Sequence, residues 1–306
     1  MERVLVVFCE SVLLHLRTSQ IKSCKNSTLL PANWRSAAEF CAGRTRYSVV
    51  LQKTSDTQWD YQIWPEDKDQ VTFEDLRNHD SRLIEIVCVY FGNTGLGYAV
   101  SNSDLRNKMV PFLLGHLYES SLHVTKNIPM EILSSFVSHA CVNLIRIEEI
   151  GMAAECCPLL PGKLDRRELS CLFISGGVFS ENLHNSLKTA IRNGSLGSLS
   201  TGGFEIISMD IVKAAIDRWT ESSGTAKIDV RGDCDFSVDN LETYVRNSGN
   251  WNVEVVFKDD GKRLTAIQKK VAANRRENGD KFIHIGMFTC SEKFKSQIAI
   301  SSIIYG

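Results

Sequence analysis

The sequence predicts an α/β fold in which a small helical head and a β-hairpin precede a solenoid of strand–helix units. Three hydrophobic patterns predict this order. Apolar residues recur at helical spacing near the N terminus, alternate at period two within residues 47–63, and then form short strands that alternate with amphipathic helices. The predicted domains are therefore a head at 1–45, a hairpin and connector at 46–81, and a strand–helix body at 82–306.

The head is predicted from one apolar stripe and one short helix. Apolar side chains spaced mostly three and four residues apart line one face of a helix. The stripe consists of Val4, Val7, Phe8, Val12, Leu13 and Leu16. Asn33 is placed to cap a second helix that carries Trp34. The polar segment 18–28 between them is predicted to be a loop or a frayed helix.

The hairpin is predicted from alternation. Apolar residues share one face of each of two strands, and the turn-forming segment 54–56 separates the strands. The two faces are Tyr47, Val49 and Leu51 on the first strand, and Trp59, Tyr61 and Ile63 on the second.

The body is predicted from a repeated order of strand, loop, helix and glycine. The predicted strands are 84–90, 121–125, 144–147, 171–174, 196–200, 227–230 and 253–257. The predicted helices are 108–118, 130–140, 181–192, 209–220 and 238–246. Gly194, Gly224 and Gly249 each follow a helix, where glycine supplies the left-handed residue that ends it. This period predicts a leucine-rich-repeat-like solenoid with one parallel sheet, and a doubly wound α/β domain is the structural alternative.

The segment 258–281 is predicted to be a solvated outer helix. It carries eight Lys or Arg residues against four Asp or Glu residues, and Leu264, Ile267 and Val271 lie at helical spacing. Aromatic residues do not interleave with these charges, so binding of nucleic acid is not expected. Ile283 and Ile285 indicate one more strand.

Composition excludes several classes of protein. A formal net charge of −1 gives no general attraction to nucleic acid or to an anionic membrane, and 43% hydrophobic residues exclude a mostly disordered chain. No run approaches the ~20 apolar residues that span a bilayer, and no convincing targeting segment is present. The expectation is a soluble intracellular protein, cytoplasmic or nuclear, without a membrane partner.

The sequence predicts no catalytic group, no metal site and no cofactor. The ten cysteines include no C-x-x-C pair, and the adjacent Cys156 and Cys157 are predicted to lie in a loop. No Gly-x-Ser-x-Gly motif occurs, and the histidines lack the spacing of metal ligands. Packing accounts for His139 and Cys141 at the end of an amphipathic helix. The chain is therefore expected not to be an enzyme.

The N-terminal stretch resembles the start of nematode-type F-box proteins. The resemblance lies in Met1-Glu2-Arg3-Val4-Leu5-Val6-Val7-Phe8-Cys9-Glu10-Ser11-Val12, then Leu16, then Trp34 with Ala37-Ala38. In that family an F-box-like helical head docks a Skp-type adaptor and precedes a divergent body. The resemblance implies a substrate receptor of a Skp/cullin-type ubiquitin ligase, and it places partner-binding residues at the adaptor groove. These residues are Val4, Phe8, Val12, Leu16 and Trp34.

Two other hypotheses stay open beside this non-enzymatic interaction protein. Leu5 stands where the family has the proline of a Leu-Pro or Val-Pro pair, which allows a binding solenoid with a degenerate F-box. An α/β enzyme, with a site built from loops at the strand ends, is the alternative from another class. The sequence does not identify the protein substrate under any of the three.

Overall fold

The chain forms two compact units. The computed structural model describes residues 6–13, 18–27, 29–66, 69–93, 95–176, 179–202, 206–222, 226–234, 236, 238–247, 251–258, 261–268, 281–289 and 296–304. Unit 1 comprises residues 1–89 and 94–118, and unit 2 comprises residues 90–93 and 119–306.

Unit 1 begins with three helices that form the head. They are α1 (Val6–Leu13), α2 (Thr18–Asn26) and α3 (Ala32–Ala42). Their inner faces bury one small apolar core, which consists of Cys9, Leu13, Ile21, Ala37, Ala38 and Cys41. Residues 18–26 form a regular helix rather than the predicted loop or frayed helix, because fully buried Ile21 anchors this otherwise polar segment to the core.

The predicted β-hairpin is confirmed. β1 (Thr45–Lys53) pairs antiparallel with β2 (Gln58–Pro65), so that Val49 lies opposite Ile63. All six apolar residues that define the two predicted faces are buried.

The rest of unit 1 is a series of short helices and strands. They are α4 (Phe73–Asn78), a 3-10 turn (Ser81–Leu83), most of β3 (Ile84–Phe91), β4 (Tyr98–Ser101), α5 (Asn102–Asp104), a π-helical turn (Leu105–Met109) and α6 (Val110–Gly115). A capping box of Thr72 and Asp75 starts α4. β4, which was not among the predicted strands, pairs antiparallel with β2.

Unit 2 alternates strands with helices and ends in four strands. Its elements are most of β5 (Leu117–Val124), α7 (Met130–Val137), β6 (Val142–Ile147), α8 (Ile150–Cys156), a 3-10 turn (Cys157–Leu159), α9 (Leu160–Asp165), β7 (Cys171–Ser175), α10 (Glu181–Asn193), β8 (Ser198–Gly202), β9 (Ile206–Ile207), α11 (Met209–Glu221), β10 (Asp229–Cys234), α12 (Val238–Asn247), β11 (Trp251–Lys258), β12 (Gly261–Gln268), β13 (Lys281–Thr289) and β14 (Ser296–Ile304).

The first part of unit 2 is a parallel sheet whose strands lie in chain order. β5, β6, β7, β8 and β10 are successive neighbours, and every one of these pairings is parallel. The short β9 also pairs parallel with β10. The α/β class and this parallel order agree with the prediction. The described strands from β5 to β10 show no reversal of order, which is the feature that defines a doubly wound sheet.

The helices of unit 2 cover one side of this sheet. α7 packs on α8, α9 on α10, α10 on α11 and α11 on α12, so the helices form one layer. Five buried residues in matching register lie across the parallel strands and form the covered face. They are Leu122, Ile145, Leu172, Leu199 and Val230.

The helix boundaries follow local signals in the sequence. Ser180 and Ser208 cap α10 and α11, because each hydroxyl oxygen accepts the backbone N–H three residues on. Gly194 ends α10 in the left-handed conformation, with a φ of 87°. The predicted glycines Gly224 and Gly249 lie outside the described residues. On α11, the predicted apolar face is buried, including all of Trp219.

The prediction of one parallel sheet to the end of the body is wrong. β14 pairs antiparallel with β10, and β13, β12 and β11 continue outward as antiparallel neighbours. Residues 261–268 form β12 rather than part of a solvated helix. Every residue of this segment pairs with β11, and residues 261–267 also pair with β13 on the other side. Val271 of the predicted apolar face lies outside the described residues. The predicted strand around Ile283 is confirmed as β13.

The prediction of a loop around Cys156 and Cys157 is also wrong. α8, a 3-10 turn and α9 run through residues 150–165. Pro158 and Pro161 sit in the first turns of their helices, where a backbone N–H would have no partner within the helix, so its absence does not weaken the helix. Both thiols are buried, and burial raises the pKa of Cys156 to about 12. A protonated, buried thiol is neither a nucleophile nor a metal ligand at neutral pH.

Candidate protein-docking surfaces

The first candidate surface is the outer side of the head, where the predicted partner-binding residues lie. Phe8 is 57% exposed and Val12 is 37% exposed, although both are large apolar side chains. Trp34 is half-buried, packs against the head core, and meets the Phe8 ring edge-on with 6.4 Å between centroids. Val4 and Leu16 lie outside the described residues. We call Phe8, Val12 and Trp34 the head patch.

The geometry of α1 explains why its apolar residues divide into two sets. Residues four apart share one face of a helix. Cys9 and Leu13 form the inner pair and are fully buried, whereas Phe8 and Val12 form the neighbouring pair and face outward. The apolar stripe is therefore wider than the head core can cover.

Polar contacts of unit 1 hold α1 in this orientation. The Arg82 guanidinium lies 3.5 Å from the Glu10 carboxylate and 4.7 Å from the centre of the Phe40 ring. Arg44 Nη2 donates to the carbonyl oxygen of Leu13 over 3.3 Å. These contacts join the middle and the C-terminal end of α1 to other parts of unit 1 and so fix the orientation of the head patch.

The second candidate surface is the other face of the parallel sheet in unit 2, where the described side chains are partly or fully exposed. Cα partners on neighbouring strands place their side chains on the same face. The central row of this face runs across five strands in register. It consists of His123, Arg146, Phe173, Ser200 and Arg231. We call this row the sheet-face row.

The sheet-face row combines aromatic and charged groups. The Arg146 guanidinium lies 4.5 Å from the centre of the Phe173 ring and forms an ion pair with Glu148. Arg231 pairs with Asp229 at 2.8 Å. Burial, helped by nearby Arg146, lowers the pKa of His123, so the ring is neutral at neutral pH. A half-exposed row of arginine and aromatic groups is a composition typical of protein interfaces.

One serine–histidine contact resembles a nucleophile with its base. Ser208 Oγ lies 3.1 Å from His184 Nε2. The same oxygen accepts the N–H of Ile211 as the helix cap, and among the described residues no acid pairs with His184. The contact is therefore explained by helix capping, and it lacks the third group that orients a catalytic base.

A buried lysine is the main chemical feature that the sequence analysis missed. The side chain of Lys163 is 1% exposed, and Nζ donates to the carbonyl oxygen of His139 over 2.6 Å. Nζ also lies 3.8 Å from Glu168 Oε2. Burial lowers the pKa of Lys163 to about 8, although Glu168 opposes the shift. Because the amine is enclosed and bonded to a backbone carbonyl, it joins α9 to the segment that follows α7 rather than meeting a substrate.

We expect Lys163 to make the stability of the protein rise with pH. The folded state releases the proton near pH 8, whereas the unfolded chain holds it up to about 10.5, so the unfolded state binds more protons between these values. The free energy of unfolding therefore rises by up to ~3 kcal/mol by pH 10.5. Urea unfolding of wild type and Lys163→Met near pH 7.5 and near pH 10 measures this rise.

In that experiment, the difference in the free energy of unfolding between wild type and Lys163→Met is expected to move in favour of the wild type at the higher pH. Lys188→Met, which changes an exposed lysine on α10, is the control and should leave the pH profile unchanged. Parallel profiles for wild type and Lys163→Met would show that the amine is not perturbed by folding.

The described residues hold no metal-binding cluster of His, Cys, Asp or Glu. Within the same residues, no helix is long and apolar enough to cross a membrane. No local sequence pattern predicts the sheet-face row, because its members come from five strands and only strand register brings them together.

No protein-family model matches the chain, and no curated protein or solved structure matches it either.

Proposed function

We propose that this chain is a non-enzymatic protein-interaction protein, whose head docks a Skp-type adaptor and whose body recognises a protein substrate for ubiquitin ligation. The observation that carries the proposal is the head patch. Soluble proteins rarely expose contiguous large apolar side chains without a partner, and aromatic residues are enriched at the centres of interfaces.

The shape of the head patch favours a helical partner. Phe8 and Val12 lie one helical turn apart, and Trp34 extends the patch onto α3. An amphipathic helix of a partner recognises such a surface with apolar residues at positions i, i+3 and i+4. This supports the adaptor that the resemblance implies.

The body is proposed to be a leucine-rich-repeat-like solenoid. Parallel strands in chain order, with a single helix layer on one side, support this architecture. The antiparallel strands β11–β14 would then serve as the terminal cap that shields the last parallel strand. The sheet-face row, whose side chains are partly or fully exposed, is the proposed substrate surface.

Co-expression of the full chain with a Skp-type adaptor, followed by size-exclusion chromatography, tests the proposal. We expect the two proteins to elute together as a complex. Elution of the folded chain apart from the adaptor would leave a binding protein that has lost adaptor contact, and it would contradict the ligase proposal.

A further inference from the structure

Unit 1 contains an open cleft that neither docking surface uses. Its volume is about 300 Å³, near the lower end for small-ligand pockets. It is lined by Arg44, Ser81, Arg82, Ile84, Glu85, Gly115, His116, Leu117 and Tyr118. The start of β3 and the end of α6 form one side, and the residue that precedes β1 forms another.

Most charges around this cleft are already paired. Arg82 holds Asp80 at 2.8 Å and Glu10 at 3.5 Å. The carboxylate of Glu85 is only 4% exposed and lies 3.9 Å from Arg46 Nε. These groups therefore offer a ligand little free charge.

Arg44 is the exception. It forms no ion pair with any described residue, and its Nε is buried without a hydrogen-bond acceptor in that part of the chain. Its guanidinium lies 5.6 Å from the centre of the Tyr118 ring, Nη2 donates to the carbonyl oxygen of Leu13, and the Cys41 thiol is a further polar neighbour. Because Nε has almost no accessible surface, a ligand in the cleft would meet the Nη groups, whose positive charge no carboxylate of a described residue neutralises in an ion pair.

We infer that this cleft binds a carboxylate, with Arg44 as its cationic partner. A guanidinium matches the planar carboxylate with two donors, and the single unpaired charge suits a monoanion. A phosphate dianion fits less well, because buried Glu85 stands on the same wall. Ser81 and His116 line the same cleft and offer further polar contacts.

The carboxylate has two sources, a free small acid or the C terminus of a polypeptide. Isothermal titration of the full chain distinguishes them with three probes: acetate, a tripeptide with a free C terminus, and the same tripeptide with an amidated C terminus. Saturable binding of acetate and free-acid peptide, with no binding of the amide, is expected. Binding of the free-acid peptide at least about tenfold tighter than acetate assigns the site to polypeptide C termini, and equal affinities assign it to small acids.

Three variants test the assignment to Arg44. Arg44→Met is expected to weaken binding at least about tenfold, whereas Arg77→Met, which changes an exposed arginine on α4, leaves it unchanged. Because Arg44 also contacts the head, a second variant, Ser81→Trp, fills the cleft from an exposed lining residue and keeps the guanidinium, and it is expected to weaken binding equally. Absence of saturable carboxylate binding, or binding that survives both Arg44→Met and Ser81→Trp, overturns the inference.

Discussion

Replacing Trp219 by alanine is expected to lower the free energy of unfolding by about 3–5 kcal/mol, the usual range for truncating a large buried aromatic side chain. Trp219 is fully buried on α11, in the layer of helices that covers the parallel sheet of unit 2. Its face of α11 also buries Ile211, Val212, Ala215 and Ile216. Truncation would therefore leave a cavity that the neighbouring helices cannot close without losing their own packing.

Urea unfolding of wild type and Trp219→Ala measures this loss. Trp64→Ala is the matched control, because Trp64 is 42% exposed on β2 and its truncation leaves no enclosed cavity. A loss below about 1 kcal/mol for Trp219→Ala would mean that this face of α11 does not pack on the sheet as described.

Phe8→Ala is expected to weaken adaptor binding by about 2 kcal/mol or more, which corresponds to about thirtyfold in Kd. Phe8 is the most exposed residue of the head patch, and its ring lies edge-on to Trp34. Aromatic residues at such positions carry a large share of binding energy.

The same substitution is expected to leave the fold intact. Phe8 is outside the buried head core, so its truncation creates no cavity there. Circular dichroism melts of wild type and Phe8→Ala should therefore agree closely. Leu96→Ala is the control for binding, because Leu96 is equally apolar and almost fully exposed but lies far along the chain from the head. Unchanged binding of Phe8→Ala, or equal weakening by Leu96→Ala, would exclude the head patch as the docking surface.

The elements that could be predicted are those with a strong local signal. The alternation of apolar and polar residues from Tyr47 to Ile63 predicts the hairpin and its buried face, because each strand has one face toward the core and one toward solvent. The helical spacing of its apolar residues predicts α11. Gly194 predicts the end of α10, because the residue there adopts the left-handed conformation that glycine favours. At Gly194 an added Cβ would also lie 3.1 Å from the Arg218 guanidinium.

Elements with a weak or ambiguous signal were missed. Among the side chains of α2 whose burial the structure describes, Ile21 alone is fully buried, and the helix sequence shows almost no apolar stripe. Pro158 indicates the end of a loop after Cys156 and Cys157, although it sits in the first turn of a 3-10 helix, where a proline is tolerated. Leu264 and Ile267 are three apart, a spacing that fits a helix, and only the long antiparallel pairing of β12 decides for a strand.

The candidate surfaces also differ in whether a local sequence pattern predicts them. The head patch could be predicted in part, because Phe8, Val12 and Trp34 lie in one short segment with a recognisable pattern. Exposure of Phe8 and burial of Cys9 depend on how wide a stripe α2 and α3 cover, which the stripe itself does not specify. The sheet-face row and the Arg44 cleft depend on contacts between distant segments, so no local pattern predicts them.

Hydrogen–deuterium exchange of the full chain, with and without a saturating Skp-type adaptor, tests the central claim most directly. If the head patch is the docking surface, adaptor binding slows exchange in α1 and in the first turns of α3, while β5–β10 of unit 2 keep their rates. The side-chain contacts of Phe8 and Trp34 would then lie within the protected segments. Slowed exchange confined to unit 2, or no change in any segment at adaptor concentrations well above Kd, would contradict the account.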